Sequence, residues 1–329
     1  MKRYPGIFLR GLGMGAADAV PGVSGGTIAF ITGIYEELIE SIKRFGPSAF
    51  TALRHGGING LAQHLNLGFL VPLLAGIALS LISVAHAVVW LLDNQPLMLN
   101  GFFLGLVAAS ALIVARHPVG WHWWHILPLA LGLLLAQGLP VLMPAVNGLG
   151  SQSLVLLVGG SIAISAMLLP GVSGSFLLLS MGLYDVVMEG LRGFDVPLLV
   201  WFATGCILGL VCFSRLLSWL LRRHYGATLQ MLLGFIIGSM PVLWPWRELI
   251  RYQIGGENQV IPLDYRYLAP WDYTAVTGES AQLLGVTAVA VIGMLLVLAV
   301  ARLGRTSGDT PGQDNPGAPL ADKEKNSDA

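Results

Sequence analysis

The sequence predicts an all-α polytopic membrane protein built as an inverted repeat, each half one re-entrant helical hairpin followed by three transmembrane helices. Three observations carry this prediction. Hydrophobic residues make up 55% of the chain and charged residues only 11%, with a mean hydropathy of +0.72, whereas soluble domains carry about 25% charged residues. Apolar runs recur at the length of about 20 residues that crosses a hydrocarbon layer. An interrupted apolar segment is also written twice, as "PGVSGGT" from Pro21 and "PGVSGSF" from Pro170.

In chain order, the first repeat spans residues 1–150 and holds a re-entrant segment at 7–34 and spans at 67–92, 97–115 and 125–146. The second spans 151–303, with a re-entrant segment at 154–183 and spans at 196–221, 228–244 and 283–301. Residues 304–329, rich in Gly, Pro, Asp and Asn, read as a disordered tail. The N-terminal "MKRYPGIFLRGLGMG" runs straight into the first interruption without a cleavage signature, so it reads as retained.

The halves align from the interruption onward. Pairing Pro21 with Pro170 also pairs Gly33 with Gly182, Tyr35 with Tyr184, Glu36 with Asp185, Glu40 with Glu189 and Lys43 with Arg192. After an extra stretch in the first copy, "GPSAFTALRHGGINGLAQHL", the register resumes with Gly76 on Gly205, Trp90 on Trp219, and "GFFLG" at Gly101 on "GFIIG" at Gly234. Internal repeats of this kind mark secondary transporters, whose sites lie where the repeats meet.

Orientation follows from Lys and Arg, which concentrate in short cytoplasmic loops. Lys2, Arg3 and Arg10 precede the first interruption, while Lys43, Arg44 and Arg54 follow it. Both clusters are cytoplasmic only if the segment enters and leaves on one side. Arg116, Arg222, Arg223, Arg302 and Arg305 then also fall inside, with both termini, and residues 246–281 form an outer loop at the interface, rich in Tyr and Trp. Three crossings per repeat turn the second copy upside down. Arg192 is the exception, an outer cation among Asp185, Glu189 and Asp195.

Backbone that leaves helical geometry in hydrocarbon exposes N–H and C=O groups, so it is tolerated only inside protein or beside a polar cavity. Around each proline, Gly22, Gly25 and Gly26, or Gly171 and Gly174, allow close approach, while Ser24, Thr27, Ser173 and Ser175 supply hydroxyls. Each following segment, "TIAFITG" or "FLLLSMG", predicts a helix whose N-terminus aims N–H groups and positive dipole at that cavity. This is an anion site, and most naturally a phosphate site. The plainer reading is a hairpin turn with a serine cap.

"GLGMGAADAVPGVSGGTIAFITGIYEELI" from Gly11 and "LLPGVSGSFLLLSMGLYD" from Leu168 closely resemble the bacterial polyprenyl-phosphate transporter family formerly catalogued as domain of unknown function 368. The resemblance covers nearly all of the chain except the tail. It implies a flippase that returns undecaprenyl phosphate, or a related polyprenyl phosphate, from the outer to the cytoplasmic leaflet of the bacterial cell (inner) membrane during cell-envelope biogenesis. Two positions depart from the symmetry of the repeat: His86 stands opposite Arg215, and Met167 opposite Asp18.

Chemistry assigns the candidate residues. Ser24, Gly25, Gly26, Thr27, Ser173, Gly174 and Ser175 are the expected phosphate cradle. Arg10 and Arg215 are candidate charge-assisted partners, although each also suits anchoring or snorkelling at the interface. Asp18, Glu36 and His86 are candidates for proton coupling, with capping or packing as their plain alternatives. Membrane lipids, and protons or another ion, are the other expected partners.

Other classes find less support. Formal net charge is zero and no basic patch points to nucleic acid. Cys206 and Cys212 read as small hydrophobes, and no metal or cofactor is implied. "GVSG" matches the pattern around the serine of intramembrane serine hydrolases, but it occurs twice while His86 serves at most one copy. A lipid phosphatase lacks an Arg and His constellation. An ion-coupled carrier of a small anion remains open, since architecture alone does not fix substrate.

Overall fold

A computed structural model describes residues 3–18, 24–116, 123–254 and 260–306. Among them the chain is mostly helical. Four helical segments, Pro96–Ala115, Trp123–Val146, Val196–Arg223 and Tyr225–Leu243, are individually long and apolar enough to cross a membrane. A fifth arises if Ser48–His64 and Leu67–Ser83, bent by 49° at their junction, form one span. The chain is a multi-pass helical membrane protein.

The first part of the chain forms α1 (Arg3–Asp18), α2 (Gly25–Ile31), α3 (Tyr35–Lys43), α4 (Pro47–His64), α5 (Leu67–Asn94), α6 (Pro96–Ala115) and α7 (Ile126–Leu142). The second forms α8 (Gln152–Leu168), α9 (Gly174–Ser180), α10 (Leu183–Arg192), α11 (Val196–Arg223) and α12 (Tyr225–Ser239), then β1 (Arg247–Ile254), β2 (Val260–Tyr267), α13 (Pro270–Thr277) and α14 (Leu283–Thr306). Local chemistry sets the starts: Ser24 caps α2, Ser151 caps α8 and Asp195 caps α11. Glu36 and Glu37 in the first turn of α3, and Lys43 in its last, match the helix dipole. Gly182 adopts a φ of +69° at the start of α10, a conformation that favours glycine.

Three sequence expectations need adjustment. The span placed at 228–244 starts earlier, at Tyr225, and gives way after Ser239 to a 3₁₀ turn, Met240–Leu243, because Pro241 cannot continue the α-helical hydrogen bonding. The first helical arm begins at Arg3 rather than residue 7. The all-α expectation fails within the loop at 246–281, where β1 and β2 pair antiparallel. Trp246, Leu268, Tyr273 and Leu97 bury against Val286 there, with the Trp244 and Trp246 indoles donating to the carbonyls of Leu268 and Ala281 at 2.9 and 2.8 Å. The tail beyond Thr306 and the positions Pro21 and Gly22 lie outside the described residues.

Packing follows a paired scheme. α1 lies along α5 and α8 along α11, while α6 pairs with α14 and α7 with α12. Small residues allow these approaches. A methyl group at Gly105 would collide with the carbonyl of Ala290 in α14, and one at Gly132 with the carbonyl of Met231 in α12. Gly105→Ala is therefore expected to lower stability by about 1–3 kcal/mol, whereas Gly6→Ala, where a methyl group meets open space, is expected to be neutral. Thermal unfolding of the detergent-solubilised variants measures the difference.

Candidate functional site at the hairpin junction

The two interrupted segments meet inside the largest buried cluster, which contains Ala29, Ile34 and Tyr35 from one and Ala163, Leu168, Leu169 and Leu177 from the other. α1 and α2 fold against each other around the first break, as do α8 and α9 around the second. Leaving polar groups unsatisfied at such a depth costs about 1–3 kcal/mol each. The junction satisfies its polar groups by exchanging them between breaks.

Ser24 is 1% exposed, and its hydroxyl lies 3.3 Å from the carbonyl of Leu169 and 3.4 Å from that of Met167. The same oxygen accepts the Gly26 N–H at 3.1 Å, closing the first turn of α2. Thr27 is fully buried and accepts the Gly171 N–H at 2.9 Å. Gly171 has a φ of +83°, which turns its amide toward the first hairpin at a place where a methyl group would strike Ser239 and the Phe235 carbonyl. Tyr35, 2% exposed, donates to the Leu168 carbonyl at 2.7 Å. Carbonyls that the end of α8 leaves without helical partners thus receive donors from the opposite segment.

Asp18 completes the first break. Its carboxylate accepts the Gly25 N–H at 2.6 Å, and its oxygens lie where a Gly25 side chain would begin. The amino end of α2 therefore already faces an acidic side chain belonging to the protein. Gly26 is confined too, because a methyl group there would press on the carbonyls of Met167 and Leu168. In the second segment Gly174 packs against Ala163 and Met167, and Ser173 is half-buried, with its carbonyl accepting the Leu177 N–H at 3.1 Å. The side chain of Ser175 lies outside the described residues.

The remaining candidates are spread more widely. Arg10 is half-buried in α1, eight residues before Asp18, or about 12 Å along the helix. Arg215 is exposed on α11 and lays its guanidinium over Gly46, between α3 and α4. Glu36 is exposed in the first turn of α3 and bonds the Tyr225 hydroxyl at the start of α12. His86 stands in α5 with its side chain outside the described residues.

Sequence reasoning assigned no role to a second polar cluster, where α3 packs on α11. The Ser218 hydroxyl donates to Glu40, Lys43 bonds Ser218 at 3.0 Å and Glu40 at 3.2 Å, and Arg222 approaches Glu40 at 3.9 Å. Burial alone would raise the Glu40 carboxyl, but the Ser218 and Lys43 hydrogen bonds, with the charges of Lys43 and Arg222, bring it below its ordinary value. A carboxyl lowered on folding stabilises above its unfolded-state pKa and loses that contribution as pH falls through the lowered one. The contact is therefore expected to persist at neutral pH and to weaken only on acidification through and below the ordinary carboxylate range. Beside this cluster, Asn66 bonds Glu37 at 3.1 Å and Ser41 at 3.0 Å.

These features define a multi-pass helical membrane protein with two helix breaks bonded to each other in its core. Comparison places it more closely. The profile of the undecaprenyl phosphate translocase-like family matches residues 14–261, and the chain belongs to that family. A polyprenyl-phosphate transporter of Vibrio cholerae serotype O1 is 40% identical over 295 residues, covering 90% of this chain and 95% of the relative. A polyprenyl-phosphate transporter of Staphylococcus aureus is 31% identical over 269 residues, covering 74% of this chain and 88% of the relative. No solved structure matches.

Proposed function

We propose that this protein is a flippase that carries undecaprenyl phosphate, or a related polyprenyl phosphate, from the outer to the cytoplasmic leaflet of the bacterial cell membrane. The observation that carries the reading is the junction itself: Ser24 and Thr27 of one break bond Leu169 and Gly171 of the other in a buried core. Such cross-break hydrogen bonds can be exchanged for bonds to a phosphate when the breaks part. The head group then meets Ser24, Gly25, Gly26 and Thr27 from one side and Ser173, Gly174 and Ser175 from the other. The names of the relatives support the substrate class.

The matched packing of α1 on α5 and α8 on α11, with α6 on α14 and α7 on α12, supports an inverted repeat. Against that symmetry, α3 packs on α11, whereas no comparable packing of α10 on α5 occurs among the described residues. With the basic ends of α3 and α11 in the cytoplasm, this is a conformer closed on the cytoplasmic side. Arg215 and Arg10 then lie toward that side, as stations for the phosphate after it passes the junction. Asp18 holds the phosphate's place at the start of α2, and its protonation would release the Gly25 N–H for the substrate. Transport by this route takes up a proton as the head group binds.

Reconstitution tests the reading. Liposomes carrying the protein and undecaprenyl phosphate in one leaflet should show protein-dependent movement to the other, reduced when Ser24 and Ser173 are both replaced by alanine. Movement of inorganic phosphate instead would support the small-anion carrier, and unchanged movement in the double variant would sink the site. Asp18→Asn keeps a carbonyl oxygen for Gly25 but cannot exchange a proton. It is expected to leave the protein folded and to abolish the acceleration of transport by an imposed pH gradient.

A further inference from the structure

Beside the second hairpin, a groove of about 470 Å³ opens between α7, α8, α9 and α11. This lies within the range of small-molecule sites, about 300–1,000 Å³. Its walls are Leu139, Ile162, Leu177, Leu208, Phe213 and Leu216. No charged side chain lines it. Ser161 and Ser165 reach its floor, but their hydroxyls already donate within the protein: Ser161 to the Leu157 and Gly205 carbonyls at 2.9 and 2.8 Å, Ser165 to the Ser161 carbonyl at 2.6 Å. The groove therefore asks nothing polar of an occupant.

Its position selects the occupant. Leu169 lines the groove, and the carbonyl of the same residue faces the Ser24 hydroxyl at the junction. Leu208, Cys212 and Leu216 are exposed on the opposite wall, so the groove opens toward the bilayer. Its inner end is thus the side chain of a residue whose backbone belongs to the junction. A phospholipid cannot use that continuity, because its acyl chains join through a glycerol in the head-group layer. A single apolar chain esterified directly to phosphate can, with its anionic end at the junction and its first units in the groove.

We propose that this groove holds the head-proximal isoprene units of the polyprenyl phosphate. The proposal rests on the junction being the head-group site. The tail is already out of water in the bilayer, so the groove holds it by van der Waals packing against its walls, without any polar contact.

Cys212 reports on the groove directly. The chain has two cysteines, so Cys206→Ala leaves Cys212 as the sole thiol of the full-length protein. Its alkylation by N-ethylmaleimide, read by intact mass, is followed in nanodiscs containing undecaprenyl phosphate, farnesyl phosphate or added phosphatidylglycerol at equal mole fraction. Slowing by undecaprenyl phosphate of about tenfold, with little slowing by phosphatidylglycerol, is the expected result. Cys212→Trp, which fills the groove at an exposed position, should weaken undecaprenyl phosphate binding several-fold by displacing its first units, and farnesyl phosphate, which carries the same first units, by a similar factor. Equal protection by phosphatidylglycerol would make this an ordinary lipid groove and overturn the proposal. A rise in melting temperature with undecaprenyl phosphate, but without protection of Cys212, would overturn the groove and leave the head-group site standing. Neither a rise nor protection would overturn both.

Discussion

A chain carrying Thr27→Val is expected to lose most of its polyprenyl-phosphate movement and about 1–3 kcal/mol of stability. The stability figure is the typical cost of stranding one buried hydrogen-bonding group. Valine fills the volume of threonine but cannot accept the Gly171 N–H, and Thr27 is fully buried. Gly171 is buried beside Phe235 and Ser239, so its amide has no ready access to water as a replacement acceptor. Thr27→Ser restores an acceptor and should recover transport while leaving a small cavity. Thermal unfolding and liposome transport, measured on the same preparations, separate the two effects. Wild-type transport in Thr27→Val would remove Thr27 from the substrate's path.

Locking α3 to α11 is expected to stop transport completely and reversibly. Glu40 and Ser218 are hydrogen-bonded across this contact, so paired cysteines at these positions lie within reach of a short cross-linker. Cys206 and Cys212 are first replaced by alanine. If the contact must open for the phosphate to leave toward the cytoplasm, a cleavable bridge should abolish net movement, and cleavage should restore it. The bridge should still permit binding from the outer leaflet, detected as a substrate-induced rise in melting temperature. Undiminished transport with the bridge in place would show that α3 and α11 remain together throughout the cycle.

The sequence made the helix breaks legible because two physical rules conflicted there: proline and glycine oppose helix, and hydrocarbon opposes anything else. Repetition of "PGVSG" placed the breaks at matching points, and the structure brings those segments into contact. How the donors are used was not legible. Ser24 and Thr27 look like free ligand groups in one dimension, yet their partners Leu169 and Gly171 lie in the other half of the chain. Asp18 reads as an intramembrane charge needing a role, but nothing in its spacing from Gly25 says that its carboxyl accepts the Gly25 N–H. Tyr35 aligns with Tyr184 and still gives no sign of reaching the Leu168 carbonyl. The Glu40, Lys43 and Ser218 cluster joins segments so remote in sequence that residue type alone could not pair them. β1, "RELIRYQI", alternates apolar and polar residues only from Ile250 onward, and so short a signal merges with an aromatic interfacial loop.

The pairing of α6 with α14 and α7 with α12 bears on how the protein is made. Each of these pairs takes one member from either side of residue 150, and each is held by a carbonyl resting on a glycine of its partner. The segments before and after residue 150 are therefore interlaced like clasped hands. During synthesis, α6 and α7 enter the bilayer before α14 and α12 exist, and their glycine-bearing faces await partners that the ribosome delivers later. Residues 1–150 expressed alone should insert but remain a substrate for membrane quality-control proteases, and co-expression with residues 151–329 should rescue them. Rescue of the first segment by the second would show that neither finishes folding without the other.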